Sequence, residues 1–152
     1  MRFSASLLVA ATILAAAPAA AQTRDVIVLT QKKFLNVADI DQNADINRVR
    51  LRQVGLKNVA TVRQRGRRNM ADLTQIGMVN RAGITQTGRV NDAALTQIGE
   101  DSSASLTQTG RINRSVVVQG GETSYVATYQ NGPVNIVQVS QQAQVYGRLG
   151  RR

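Results

Sequence analysis

The side chains with the most to offer chemically in this 152-residue chain are primary amides, and a simple rule places them. Glutamine recurs every eleven residues at Gln31, Gln42, Gln53, Gln64, Gln75, Gln86, Gln97, Gln108, Gln119, Gln130 and Gln141. Five places further on stands asparagine, at Asn36, Asn47, Asn58, Asn69, Asn80, Asn91, Asn113 and Asn135, with Ser102 and Ser124 in two of the other places. A primary amide carries two N–H donors and one acceptor oxygen and does not ionise, so its chemistry is hydrogen bonding rather than proton transfer. The usual proton carriers, nucleophiles and zinc ligands are missing, because the chain has no histidine and no cysteine. Disulfides are excluded on the same ground. Only 3% of residues are aromatic, so a conventional globular core would lack its largest apolar contributors. The acids of the repeats fall on outward or turn positions, with no evident pocket for a catalytic pair. The expectation is a chain that is not an enzyme, with no cofactor, metal or small-molecule substrate.

The elements that position the amides follow from the residues between them. Two places after most glutamines is glycine: Gly55, Gly66, Gly77, Gly88, Gly99, Gly110, Gly121 and Gly132, with Lys33, Ala44 and Ala143 breaking the rule at the two ends. Seven places after is usually a small residue, as in Ala60, Ala71, Ala82, Ala93 and Ala104. Nine places after is an aliphatic one: Leu51, Val62, Leu73, Ile84, Leu95, Leu106, Val117. Asparagine, small residue, aliphatic residue and next glutamine are spaced by two, so a strand puts all four on one face. Glycine falls just beyond, where the chain must turn. A second period of 22 is visible in the matches of Gln75-Ile76-Gly77 with Gln97-Ile98-Gly99, and of Gln86-Thr87-Gly88-Arg89 with Gln108-Thr109-Gly110-Arg111. Fixed periods of this size signal a solenoid. The predicted fold is all-β: about five 22-residue strand-turn-strand-turn coils forming two facing parallel sheets. Abundant glycine and the absence of charge from one strand face between residues 31 and 146 reject a helix.

This register turns the amides inward. Buried amides are costly unless hydrogen-bonded, and identical amides stacked on successive coils can bond to one another as ladders. The candidate core ladder is therefore Gln53, Gln64, Gln75, Gln86, Gln97, Gln108, Gln119 and Gln130 with Asn58, Asn69, Asn80, Asn91 and Asn113. Charge falls outside. Stacking at 22-residue intervals places Asp41 beside Arg63, Arg50 beside Asp72 and Asp92 beside Arg114. One turn edge carries Arg67, Arg89 and Arg111, and the other Glu100, Asp101 and Glu122. The basic edge suits a solvated surface, or an anionic surface polymer.

At the N-terminus, Arg2, the apolar run Leu7 to Ala17 and the small residues Ala19-Ala20-Ala21 have the layout of a secretory signal peptide, with Gln22 as the first mature residue. The run is too short for a membrane span. Losing Arg2 lowers the formal charge from +10 to +9. The expected organisation is 1–21 signal peptide, 22–30 short N-terminal segment, 31–146 repeat solenoid and 147–152 basic tail. A nucleic-acid-binding domain would explain the charge but usually interleaves aromatics with basic residues, and Tyr125, Tyr129 and Tyr146 lie away from the arginines. An exported ice-binding or surface-binding solenoid that does not polymerise is the stronger rival, since Thr74, Thr85, Thr96 and Thr107 recur at outward positions.

The unit Q-x-G-x-x-N-x-A-x-x-x-Q behind such a signal resembles the curlin repeat. Gln75, Gly77, Asn80, Ala82 and Gln86 match it position for position; so do the units starting at Gln53, Gln64 and Gln86, and that at Gln97 with Ser102 for Asn. The resemblance covers about residues 31–146. It implies a subunit of curli, amyloid fibres of the bacterial surface that serve adhesion and biofilm. The implied partners are copies of itself or another curlin subunit, the dedicated outer-membrane secretion pore and its assembly factors. The implied location is an extracellular, cell-surface fibre. The high arginine content and basic C-terminus (Arg148, Arg151, Arg152) look more like the minor, nucleating subunit than the major one.

Overall fold

The computed structural model describes residues 9–15, 26–33, 35–44 and 46–142. They form β1 (Val9–Ala15), β2 (Val26–Lys32), β3 (Asn36–Ala44), β4 (Asn47–Gly55), β5 (Val59–Gly132) and β6 (Asn135–Gln142), and no helix occurs among them. Every pairing between these elements is parallel, and β2 to β6 pair at an offset of 22 residues, such as Gln53 with Gln75 and Gln42 with Gln64. The chain is thus a β-solenoid of two facing sheets. One sheet stacks the strands ending in Gln31, Gln53, Gln75, Gln97, Gln119 and Gln141; the other stacks those ending in Gln42, Gln64, Gln86, Gln108 and Gln130.

Two features differ from the expected layout. The strands do not alternate with free turns: β5 is a single ladder-bonded ribbon of 74 residues that bends without breaking its hydrogen bonds to the neighbouring coils. The bends themselves are in register, so glycine stacks on glycine, as Gly55 does on Gly77. The solenoid also starts earlier than residue 31. Strand β2 begins at Val26, inside the supposed N-terminal segment, because Ile27 and Leu29 continue the inward apolar register and pack against the core. Strand β1, within the stretch read as a leader, runs beside β3 with Ala15 opposite Gln42. The residues read as a basic tail lie outside the described residues.

The core is a stack of thin layers. On each strand the order is asparagine or serine, small residue, aliphatic residue, glutamine, and members of each column lie over one another. Ala60, Ala82 and Ala104 form one column, and Val62, Ile84 and Leu106 the next, all buried. Small residues facing one another let the sheets approach closely, so contact is made without aromatic side chains. Charged residues face outward, as in β4, where Arg48, Arg50 and Arg52 are exposed in strict turn with buried residues from Asn47 to Gln53.

Two bends alternate along each coil. Both place glycine at positive φ two residues after glutamine, for instance Gly77 at φ 135° and Gly88 at φ 111°. A Cβ on Gly77 would overlap the carbonyl oxygen of Gly99 in the next coil, so both conformation and stacking demand glycine there. A second left-handed position lies four places after the glutamine: Leu35 and Lys57 hold it at φ 53° and 56° after Gln31 and Gln53, and the bend after the Gln42-type strands holds it in three successive coils. Arg68, Val90 and Ile112 occupy it at φ 57°, 62° and 58°. A β-branched residue is strained in that region. Two outcomes follow for urea unfolding of the monomer. Gly77→Ala lowers stability by about 1–3 kcal/mol or more, whereas Val90→Gly, which relieves left-handed strain, raises it by about 1 kcal/mol.

Candidate functional site

The site is the amide interior and the two faces at which it ends. Glutamine closes each strand, where the chain approaches the bend and the sheets are near enough for a long side chain to reach across. Each Nε2 donates to the Oε1 of the glutamine 22 residues later. Eight such bonds run from Gln31→Gln53 to Gln108→Gln130 at 2.6–3.0 Å. From Gln53 onward Nε2 also donates to a backbone carbonyl 16 residues earlier, on the facing sheet: Gln86 to Met70 at 2.8 Å, Gln97 to Arg81 at 3.0 Å, Gln130 to Arg114 at 3.0 Å. Both N–H groups are therefore used, one along the stack and one across it.

Asparagine opens each strand and forms a second ladder of opposite direction. Here the later residue donates to the earlier: Asn80 to Asn58, Asn91 to Asn69, Asn113 to Asn91 and Asn135 to Asn113, at 3.0–3.1 Å. Its other role is to fasten the preceding bend. Asn69 donates to the Arg65 carbonyl and Asn91 to the Thr87 carbonyl, four residues back. One side chain thus serves both the ladder and the bend. Where serine replaces it the ladder is interrupted, and the buried Ser102 hydroxyl has no hydrogen-bond partner in the structure.

Outside, ion pairs among the described residues join two of the predicted couples. Arg50 meets Asp72 at 3.8 Å and Arg114 meets Asp92 at 3.9 Å. Asp41 lies opposite Arg63 as the 22-residue stacking places it, and its ion pair is made with Arg65, two residues on, at 3.8 Å. The longer reach from the bend lets the guanidinium turn back over the strand. The Arg81–Asp101 pair at 3.6 Å joins a strand to the acidic bend, and a 22-residue stacking rule has no means of finding it. All eight side chains keep substantial exposure, so each pair contributes about 0–1 kcal/mol. Arg67, Arg89 and Arg111 recur at exposed positions of one bend. The recurrent threonines divide evenly between the sheets, Thr74 and Thr96 on one and Thr85 and Thr107 on the other, so neither face has a long threonine column.

The two ends of the glutamine ladder are chemically unlike. At the N-terminal end the Oε1 atoms of Gln31 and Gln42 are shielded from solvent and have no hydrogen-bond partner. At the other end the last donor of the second sheet, Gln130 Nε2, has its cross-core bond but no later glutamine of that sheet among the described residues. Among the described residues, strands β2 and β6 each pair along one side only, with β4 and β5 respectively.

Residues 45–77, 66–99 and 77–110 match the family model of the curlin associated repeat. The chain thus carries curlin associated repeats over residues 45–110. No curated protein and no solved structure matches it. The matched stretch is the regular middle of the solenoid, and the same glutamine ladder continues on both sides of it, to Gln31 and to Gln130. Curlin repeats here are therefore one structural array whose outer rungs have drifted in sequence but kept the amide. Removing a single ladder amide tests its weight. Gln86→Leu keeps the volume but strands Gln108 Oε1 and the second N–H of Gln64, and costs about 1–3 kcal/mol for each orphaned group. Asp72→Ala, which deletes an exposed ion pair, costs less than about 1 kcal/mol in the same urea titration.

Proposed function

We propose that this curlin-repeat chain is a secreted structural subunit of an extracellular curli-type amyloid fibre, polymerising end to end through open strand edges. The observation that carries the reading is that, among the described residues, β2 and β6 pair on one side only, which presents a hydrogen-bonding edge at each end of the stack. Natural proteins usually block such edges. Left open, an edge adds another strand through main-chain hydrogen bonds, while the amide column selects a strand with amides in the same register.

In this reading the leader (1–21) directs export, and the chain passes the outer membrane by the curli secretion pore and its assembly factors. It then contributes to adhesion and biofilm at the cell surface. Its arginine content assigns it the nucleating role, starting fibres of another curlin subunit. The bend carrying Arg67, Arg89 and Arg111 acts first as a solvated edge that keeps monomers apart before export, and is open to an anionic surface polymer.

Two measurements test the proposal. Thioflavin-positive assembly of the exported chain slows when Gln97→Ala and Gln108→Ala are combined, because each sheet then loses one rung of its ladder; unchanged kinetics sink the ladder mechanism. Substoichiometric chain added to a major curlin subunit shortens the lag while assembling poorly alone if it is the nucleator. Efficient growth on its own with no effect on that lag makes it a fibre-building subunit instead.

A further inference from the structure

The number of half-coils is odd. Eleven glutamine-ended strands divide six to one sheet and five to the other. An end-to-end stack of such units has two ways to continue. If each sheet were to meet its own counterpart, Gln141 would lie over Gln31 of the next copy. The five-stranded sheet would then leave a gap one strand wide at every junction. If the copy is instead turned by half a coil about the fibre axis, the eleven-residue rule continues unbroken. Gln130 then meets Gln31 of the next copy, and Gln141 meets Gln42.

We propose that successive copies dock in this second way, exchanging their two sheets at every junction, so that neighbours are related by a half-turn with a rise of about 26 Å. The rise follows from five and a half coils at the usual strand spacing of about 4.8 Å. The arrangement rests on the end-to-end assembly reading and specifies its geometry.

Three observations support it. The first is the pair of shielded, unpartnered acceptors, Gln31 Oε1 and Gln42 Oε1. In the ladder each Oε1 from Gln53 to Gln130 accepts from the glutamine one coil earlier, while Gln141, exposed in the single chain, turns in on docking. The half-turned copy supplies a donor to both, from Gln130 and Gln141, whereas the unturned copy reaches only Gln31. The second is the asparagine ladder. Asn135, the last donor of that column, falls over Asn36 of the next copy and continues the stack.

The third is the distribution of exposed apolar residues. Tyr125 and Tyr129 stand 69% and 70% exposed on the last strand of one sheet, and Ile136 is 77% exposed on the last strand of the other. The half-turned register lays Tyr125 beside Val26, Tyr129 beside Thr30 and Ile136 beside Val37. Aromatic and β-branched residues stabilise one another as cross-strand neighbours. The unturned register puts both tyrosines over the gap. Strand β1 occupies the β3 edge in the full-length chain, but it brings Ala15, which has no amide, opposite Gln42, whose Oε1 stays unpartnered. Docking therefore requires β1 to leave, as loss of residues 1–21 achieves.

Engineered disulfides distinguish the two registers, and the absence of native cysteine keeps the background clean. Fibres are grown from exported chain carrying one pair at a time, then oxidised and dissolved for denaturing gels. Ala127→Cys with Val28→Cys, and separately Gln138→Cys with Asp39→Cys, become adjacent only at a half-turned junction. Gln138→Cys with Val28→Cys become adjacent only at an unturned one. The expected result is a ladder of cross-linked oligomers from the first two pairs and none from the third. Cross-linking by the third pair in well-formed fibres overturns the half-turn but leaves end-to-end assembly standing. Chains that form no fibre, with or without the cysteines, overturn the assembly reading and this geometry together.

Discussion

A buried amide that lacks a partner is among the costlier things a protein interior can contain, and this chain buries one or two on nearly every strand. Along a dry column an amide is satisfied by another amide one coil away, with a backbone carbonyl taking its remaining N–H. That requirement fixes the rest. It demands that each glutamine return to the same lateral position after 22 residues, hence bends of constant length. Constant bends in turn demand glycine at the left-handed position, where the neighbouring coil leaves no space for a Cβ. Slipping the register by one residue would turn the amides to water and the arginines inward.

The glutamine and asparagine columns do separate work. Glutamine, longer by one methylene, spans the thin core and ties the facing sheets through carbonyls 16 residues earlier. Asparagine reaches no further than its own bend and the next coil. Their chains of dipoles run in opposite directions along the axis, so the interior does not accumulate one large dipole as it lengthens. Each coil touches only its neighbours, and stability is then close to a sum of rung and interface terms. Exposed ion pairs contribute little to that sum and serve mainly to keep the outer faces polar.

Much of this was legible in the sequence because the repeat has two periods that physics reads unambiguously: two for the strand face and 22 for the coil. From these come the all-β fold, the parallel stacking, the inward amides and the outward charges. What escaped has a common cause. The repeat rule relates residues one coil apart, so interactions at other separations stay hidden: Gln86 with the Met70 carbonyl, Arg81 with Asp101, and Asp41 with Arg65 rather than Arg63. The second left-handed position, at Val90 and Ile112, was hidden for a different reason. Its residues are chosen against the local preference, and only the shape of the bend explains them. The start of the solenoid at Val26 was missed because the first strand was marked by its closing glutamine rather than by Ile27 and Leu29 leading into it.

An open sheet edge alone recruits strands indiscriminately, since backbone hydrogen bonds carry no identity. The amide columns change that. A foreign strand laid over the first coil would satisfy the backbone but leave the shielded Gln31 and Gln42 oxygens without donors, as β1 does at Gln42. Only a strand presenting an amide at the same height removes that penalty, and in this chain the strands that do so are its own. In the assembly reading, the constraint that shapes one coil also selects the next molecule. Fold specificity and partner specificity then rest on a single interaction.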